Sequence, residues 1–219
     1  TAECQVGNVE TDRTFLRHSK RPLGGTLWGR KRMEITLPDG TKKQYSGPVT
    51  GAQVAESIGP GLLRAAVAVE VDGQQQDLSD PIETDAVVRI LTLRDDEGLE
   101  IMRHTITAQI LARAVRELYP GCKLAIGPTI ANGFYYDVEF ERPLVEDELP
   151  QIEARMKQIV KEQNDITLKR LPRAEAVALF QERNEPYKVE IIEGTEGQNE
   201  FQIYFQEGTD FVDLCRGPH

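Results

Sequence analysis

The sequence is poor in the residues that most site chemistry uses. Its 219 residues hold three cysteines, three histidines and one tryptophan. Cys4, Cys122 and Cys215 have no regular spacing. So sparse and odd a count fits a reducing compartment better than a disulfide framework. No uninterrupted apolar run approaches the ~20 residues of a membrane span. The N-terminus lacks the apolar stretch of a secretory signal. Internal repeats and low-complexity tracts are missing. Positive charge is scarce as well: the net charge of −10 excludes a generally basic nucleic-acid coat. A local basic groove stays open, because phosphate contacts need only a few Lys or Arg side chains. These absences lead to the expectation of a cytoplasmic protein with no membrane partner. An apolar fraction of 39% is enough for real cores in one large or two small domains.

Composition and turn signals divide the chain. Residues 1–32 carry seven Lys/Arg against three Asp/Glu, begin without Met and show no convincing period. They read as a disordered or artificially appended leader, with a functional basic arm that touches nucleic acid as the alternative and Trp28 as its one potential anchor. Residues 33–94 read as a compact β-grasp domain. Met33 to Leu37 alternates apolar and polar side chains. Pro38-Asp39-Gly40 predicts a turn, and Thr41 to Tyr45 the returning strand. Thr50 with Gln53 makes a capping box before a helix over 51–58, which Gly59-Pro60-Gly61 stops. Ala65 to Val71 and Val87 to Leu93 are strand-like, with Asp72-Gly73 as the turn between them. A linker is expected at about 94–103.

Residues 95–219 form the second expected unit, of α+β class. Ile106, Ile110, Leu111, Ala114, Val115 and Leu118 predict an amphipathic helix, with His104 at its start and Tyr119-Pro120-Gly121 at its end. A hairpin is expected over 124–140, turning at Asn132-Gly133. Leu149, Ile152, Met156, Ile159 and Val160 mark a helix over about 147–163. Pro172 opens a short helix through Phe180. Ile203 to Phe205 and Phe211 to Leu214 read as closing strands.

The last seven residues, Asp213-Leu214-Cys215-Arg216-Gly217-Pro218-His219, place a carboxylate, a thiol and an imidazole in one turn-forming segment. A thiol and an imidazole four apart can bind a metal, orient a water, or pair as nucleophile and base. Together with Ala125-Ile126-Gly127-Pro128-Thr129-Ile130 and Gly133-Phe134-Tyr135-Tyr136-Asp137, this string resembles the second N-terminal domain of bacterial-type threonyl-tRNA synthetases. Residues 33–94 resemble the ubiquitin-like TGS domain at the front of the same family. The resemblance implies a TGS β-grasp domain followed by a larger α+β editing domain. In that family the editing domain removes serine wrongly attached to threonine tRNA. It also implies that a longer synthetase would continue past His219 into class II catalytic and anticodon-binding domains. None follows in this sequence, so an N-terminal fragment is the expectation, without an ATP site.

The chain departs from the family at the first helix. There the pattern is His, three residues, His; here Ala108 stands four after His104. Alignment back from Tyr119-Pro120 puts Gln109 in the second histidine's place. Five residues turn a regular helix by roughly 140°, so His104 and Gln109 share a face only if the helix starts later, bulges, or aims the two groups differently. Glutamine cannot act as a general base, although it can hold a water or a hydroxyl. A His-His-Cys-His metal set is not available. His104, Cys215 and His219 offer three ligands at most, and no bound zinc is expected.

By resemblance, His104, Gln109, Lys188, Asp213, Cys215 and His219 make the hydrolytic pocket. Lys188 would stabilise charge or contact the terminal ribose or phosphate, and Asp213 would hold the substrate ammonium or hydroxyl. Cys215 would position water or substrate; it is a nucleophile only as a thiolate, which Arg216 and His219 would favour. Tyr135, Tyr136 and Tyr204 are candidate walls for the terminal adenosine. Lys157, Lys161, Lys169, Arg170 and Arg173 are a candidate phosphate strip for the tRNA acceptor arm. The expected partners are the acceptor end of tRNA(Thr) and the rest of the synthetase. The rival reading is a non-catalytic module that holds the acceptor arm. A third is a β-grasp regulatory domain fused to an unrelated hydrolase.

Overall fold

Alternation explains the first strand. In β1 (Met33–Thr36) Met33 and Ile35 are buried while Glu34 and Thr36 face outward. The Leu37–Gly40 turn returns the chain as β2 (Lys42–Tyr45), paired Met33↔Tyr45 through Thr36↔Lys42. The computed structural model describes residues 32–219. The expectations for residues 1–31, including the basic leader, Trp28 and His18, lie outside the described residues.

A short β3 (Val49–Thr50) leads into α1 (Gly51–Ile58). The capping box forms as expected: Gln53 N–H donates to the Thr50 hydroxyl, and Thr50 N–H donates to the Gln53 side chain at 2.9 Å. Gly59 ends α1, and Pro60 at once opens a further helix, α2 (Pro60–Ala65). β4 (Ala66–Val71) follows. Asp72 and Gly73, both at positive φ, then make a two-residue hairpin turn. That turn leads to β5 (Gln74–Gln76), not directly to the strand over 87–93 as expected. After β6 (Pro81–Ile82) comes β7 (Ala86–Thr92). The five-stranded sheet runs β2-β1-β7-β4-β5, with β1 and β7 parallel and the other pairs antiparallel. Ile35, Val54, Val69 and Val88 form the centre of its core.

The expected linker is instead helix. α3 (Asp96–Thr105) covers most of the expected 94–103 linker. Its Ile101 packs with Ala68 and Leu91 of the preceding sheet. Burial of one such side chain contributes roughly 1.5–3 kcal/mol, which ties the two halves together. The turn signals of 94–103 are weak because a charged, glycine-containing stretch of this kind is also an acidic helix start. The described residues belong to one compact unit.

α3 continues through a π-turn (Ile106–Leu111) into α4 (Ala112–Leu118). The 124–140 segment is two nested ladders. β8 (Lys123–Leu124) pairs with β11 (Val138–Glu139) around β9 (Thr129–Ile130) and β10 (Gly133–Phe134). Ile130 faces Gly133, so the inner turn is Ala131-Asn132, one residue before the Asn132-Gly133 expected. A single 3-10 turn precedes α5 (Leu149–Glu162).

β12 (Ile166–Pro172) was not anticipated. Its Pro172 caps α6 (Arg173–Glu182) from outside, not from its first turn. α7 (Pro186–Gly194) was also unforeseen. β13 (Glu200–Gln206) and β14 (Val212–Leu214) complete a sheet ordered β12-β13-β14. Period-two alternation sorts β13. Phe201 and Ile203 join the core made with Phe180 of α6 and Ile192 of α7, whereas Tyr204 and Gln206 leave from the other face. That second face carries the site.

Candidate functional site

The first and last parts of residues 95–219 meet over the second face of the β13–β14 pair. His104 Nε2 lies 2.7 Å from Cys215 Sγ. The His219 ring stacks on His104, with centroids 4.9 Å apart and planes 10° from parallel. Gln109 Nε2 lies 3.4 Å from His219 Nε2. The π-turn is what makes this possible. Ala112 N–H reaches back five residues to Thr107 O. Such a widened turn closes the ~140° that a regular helix would leave between residues five apart. Of the geometries left open by the sequence, the bulge is the one that occurs.

Donor counting sets the polarity of this cluster. The Gln206 amide donates to Gln109 Oε1 at 3.1 Å and to Gln109 O at 2.6 Å. The Gln109 amide N–H is therefore left to donate toward His219 Nε2. His219 Nδ1–H then faces Thr105 Oγ1 at 3.2 Å. Burial, aided by neighbouring His104, pushes the His219 pKa down to about 3, so the ring is neutral. Burial lowers His104 as well, against the opposing pull of Asp213 and Glu100. Burial, with the Asp213 charge, pushes the Cys215 thiol up to about 12. The expected help from Arg216 and His219 toward a thiolate is not realised, because the ring is uncharged and desolvation dominates. Cys215 is a thiol in contact with an imidazole.

Beside this cluster lies a buried ion pair. Lys188 of α7 and Asp213 of β14 are 3% and 2% exposed and 2.7 Å apart. Lys188 also donates to the Tyr136 hydroxyl at 3.1 Å, which donates to Asp213 Oδ2 at 3.3 Å. Burial opposes the Lys188 charge, but the Asp213 carboxylate more than offsets it and holds the ammonium protonated. Asp213 Oδ1 also accepts the Leu214 N–H at 2.8 Å. Its acceptors are thus taken by the protein, which leaves little for a substrate ammonium. A cleft of about 850 Å³ opens over these groups, lined by His104, Tyr136, Lys188, Asp213, Cys215 and Arg216 among others. That volume suits a small-molecule-sized moiety.

The remaining expected site residues divide. Tyr136 lines the cleft. Tyr135 is about half exposed and does not line it, since neighbours on an extended segment point to opposite sides. Tyr204 is 2% exposed beneath His219 and cannot stack on a ligand. The basic strip breaks up. Arg173 donates to the carbonyls of Ile192, Glu193, Thr195 and Gln198 and secures the end of α7. Lys157 pairs with Glu153 on an exposed helix face. Lys169 lies over the Phe205 ring, while Arg170, next along the strand, lines the cleft and lies 3.7 Å from Asp80. Lys161 is exposed near the end of α5. Sequence reasoning missed Asp77, Thr105, Gln206 and Gly217, all of which touch the cluster or its supports. No local pattern marks them, because their role exists only across elements distant in the chain.

His104, Cys215 and His219 each offer one ligand atom within 4.8 Å of the others. Three donors of this type would leave an open fourth position. Both His219 nitrogens have partners within the fold, Gln109 and Thr105. No helix among the described residues is long and apolar enough to cross a membrane.

Residues 33–92 match the TGS domain family. The chain is 44% identical over 187 residues to a threonine--tRNA ligase of Paracidovorax citrulli, covering 85% of this chain and 29% of the relative. It is 49% identical over 185 residues to a threonine--tRNA ligase of Rhodospirillum rubrum, covering 84% of this chain and 28% of the relative. The chain therefore spans less than a third of the length of these relatives. With its TGS domain and this identity along most of its length, it belongs with the N-terminal region of bacterial threonine--tRNA ligases.

Proposed function

We propose that this chain binds the acceptor end of tRNA(Thr) and hydrolyses the ester of mischarged seryl-tRNA(Thr) in the cleft over His104 and Cys215. The reading places it in the cytoplasm as the proofreading part of a longer synthetase. The observation that carries it is the meeting of His104 with Cys215 and of Gln109 with His219, 111 and 110 residues apart in the chain, beside one buried ammonium.

The ester is already activated, so orientation of water and charge stabilisation supply most of the catalysis. Water attacks the ester carbonyl. His104, neutral and within the cleft, takes a water proton. The bond from the carbonyl carbon to the terminal ribose oxygen breaks, and that oxygen takes the proton back from His104 to give a free hydroxyl and serine, leaving His104 neutral. Lys188 lines the cleft and has a third N–H beyond those given to Asp213 and Tyr136, which would stabilise the charge that develops on oxygen. Asp213 and Tyr136 fix that ammonium. Gln109 and Thr105 hold His219, which stacks on His104 and keeps that cleft-lining ring in place. Threonine carries one methyl more than serine. Steric rejection of that methyl gives about 10–200-fold discrimination.

One observation favours the rival reading of a non-catalytic acceptor-arm module: Gln109 stands where the family's second histidine is expected, and it cannot take a proton. The two readings separate when the chain is incubated with seryl- and threonyl-tRNA(Thr). Selective loss of the seryl ester supports hydrolysis. Stable esters with measurable binding support the module.

A further inference from the structure

We infer that Asp77, a residue of the TGS domain, is a positioning residue for the hydrolytic cleft in the following domain. The inference rests on the proposed hydrolysis for its consequence, but not for its geometry. Asp77 lies just after β5, and its loop is closed by Asp80 N–H donating to Asp77 O at 3.1 Å. Its side chain is 7% exposed. One carboxylate oxygen accepts the main-chain N–H of His219 at 2.7 Å. The other accepts the Tyr204 hydroxyl at 2.8 Å. Tyr204 in turn meets the His219 ring edge-on, with centroids 4.4 Å apart and planes 89° from parallel. A single carboxylate thus holds both the backbone of His219 and the aromatic ring that supports it. The same His219 ring stacks on His104.

Three features argue that this grip is for placement. First, the carboxylate is buried against neutral donors, an arrangement that costs stability unless something else is gained. Burial raises the Asp77 pKa despite the two hydrogen bonds. An apolar side chain would pack the junction as well, but it would not aim two acceptors. Second, the Tyr204 hydroxyl has no freedom on the side of the terminal loop. A Cβ on Gly217 would collide with it, and Gly217 holds φ +62°. Third, Arg170 approaches Asp80 at 3.7 Å, a second strut from the same TGS loop to the rim of the cleft. The TGS domain then contributes to proofreading through the position of His219, without touching the ester.

The test uses the full chain carrying Asp77→Ala, Asp77→Asn or Tyr204→Phe. Two readouts are taken: single-turnover hydrolysis of seryl-tRNA(Thr), and the side-chain NMR signals of His219 and His104. Asp77→Ala is expected to shift the His219 ring signals and to lower kcat about tenfold or more with KM little changed, as for a small misplacement near the chemistry. Asp77→Asn, which keeps an acceptor for the His219 N–H, recovers most of that loss. Tyr204→Phe keeps the ring, removes one anchor and shifts His219 less than Asp77→Ala. It serves in place of Asp77→Ala if that variant fails to fold. His219 signals unchanged in folded Asp77→Ala, or in Tyr204→Phe if it stands in, overturn the inference. So does a kcat loss that Asp77→Asn does not relieve. Absence of hydrolysis by the unaltered chain defeats the hydrolytic reading alone, since the ring signals still judge Asp77.

Discussion

Gln109 reaches His219 only because the helix that carries it makes one i→i+5 turn. The glutamine is fully buried, and Gln206, itself bonded to Arg113, holds its amide. This side chain orients the terminal histidine and takes no part in proton transfer. Replacing it tests the point. Gln109→Ala should lower seryl-tRNA hydrolysis about tenfold or more by releasing His219. It should also destabilise the fold by about 1–3 kcal/mol, because Gln206 loses a buried partner. Hydrolysis unchanged in a folded Gln109→Ala protein would remove Gln109 from the site.

Stability should fall in mild acid. The His219 pKa is about 3 in the fold against 6.5 when unfolded, so the unfolded chain binds the extra proton between those values. Stability is then full above pH 6.5 and declines as the pH falls toward 3, by about 2 kcal/mol at pH 5. His104, also lowered, adds in the same direction. Asp77, raised by burial, opposes the trend once it protonates. Urea midpoints at pH 7.5 and 5.0 check this. His219→Asn should flatten the difference, and an equally steep loss in that variant would contradict the assignment.

Lys188 and Asp213 should prove costly to separate and cheap to remove together. Lys188→Met leaves a buried carboxylate without its ammonium, a loss of about 3–5 kcal/mol. Adding Asp213→Leu should restore much of it. Equilibrium unfolding of the two single variants and the double variant measures the coupling, and additive losses would deny it.

Cys215 should be unreactive. A thiol pushed up to about 12 has almost no thiolate at pH 7.5, so alkylation by iodoacetamide should be much slower than for a free cysteine. No seryl-enzyme should form. Cys215→Ser, which keeps a hydrogen-bonding group beside His104 Nε2, should retain hydrolysis within about tenfold, whereas loss of a true nucleophile costs up to ~10⁶. Trapping of a covalent seryl adduct would reverse this role.

Much of the fold was legible in local pattern. The Met33–Tyr45 hairpin, the Thr50/Gln53 box and the α5 stripe of Ile152 and Ile159 depend on neighbours in sequence. The site was legible in part, through the Asp213-to-His219 string and the five-residue spacing of His104 and Gln109. β12 hid because its face alternation is mixed: Ile166 to Leu168 are all half-buried. α7 hid because its buried stripe, Lys188 and Ile192 one turn apart, contains a lysine and so does not read as an apolar face. Arg173 read as a phosphate ligand because nothing in its surroundings reveals that it receives the carbonyls ending α7. Asp77 was illegible for the same reason on a larger scale, as its partners lie 127 and 142 residues away.

The most direct measurement is the first-order loss of seryl ester from tRNA(Thr) with enzyme in excess, for the unaltered chain and for His104→Ala. The account predicts seryl-ester loss well above the uncatalysed rate, threonyl ester slower by about 10–200-fold, and near-background loss in a folded His104→Ala that still binds tRNA. Equal loss with and without the His104 imidazole, or no loss beyond buffer in the unaltered chain, would contradict it.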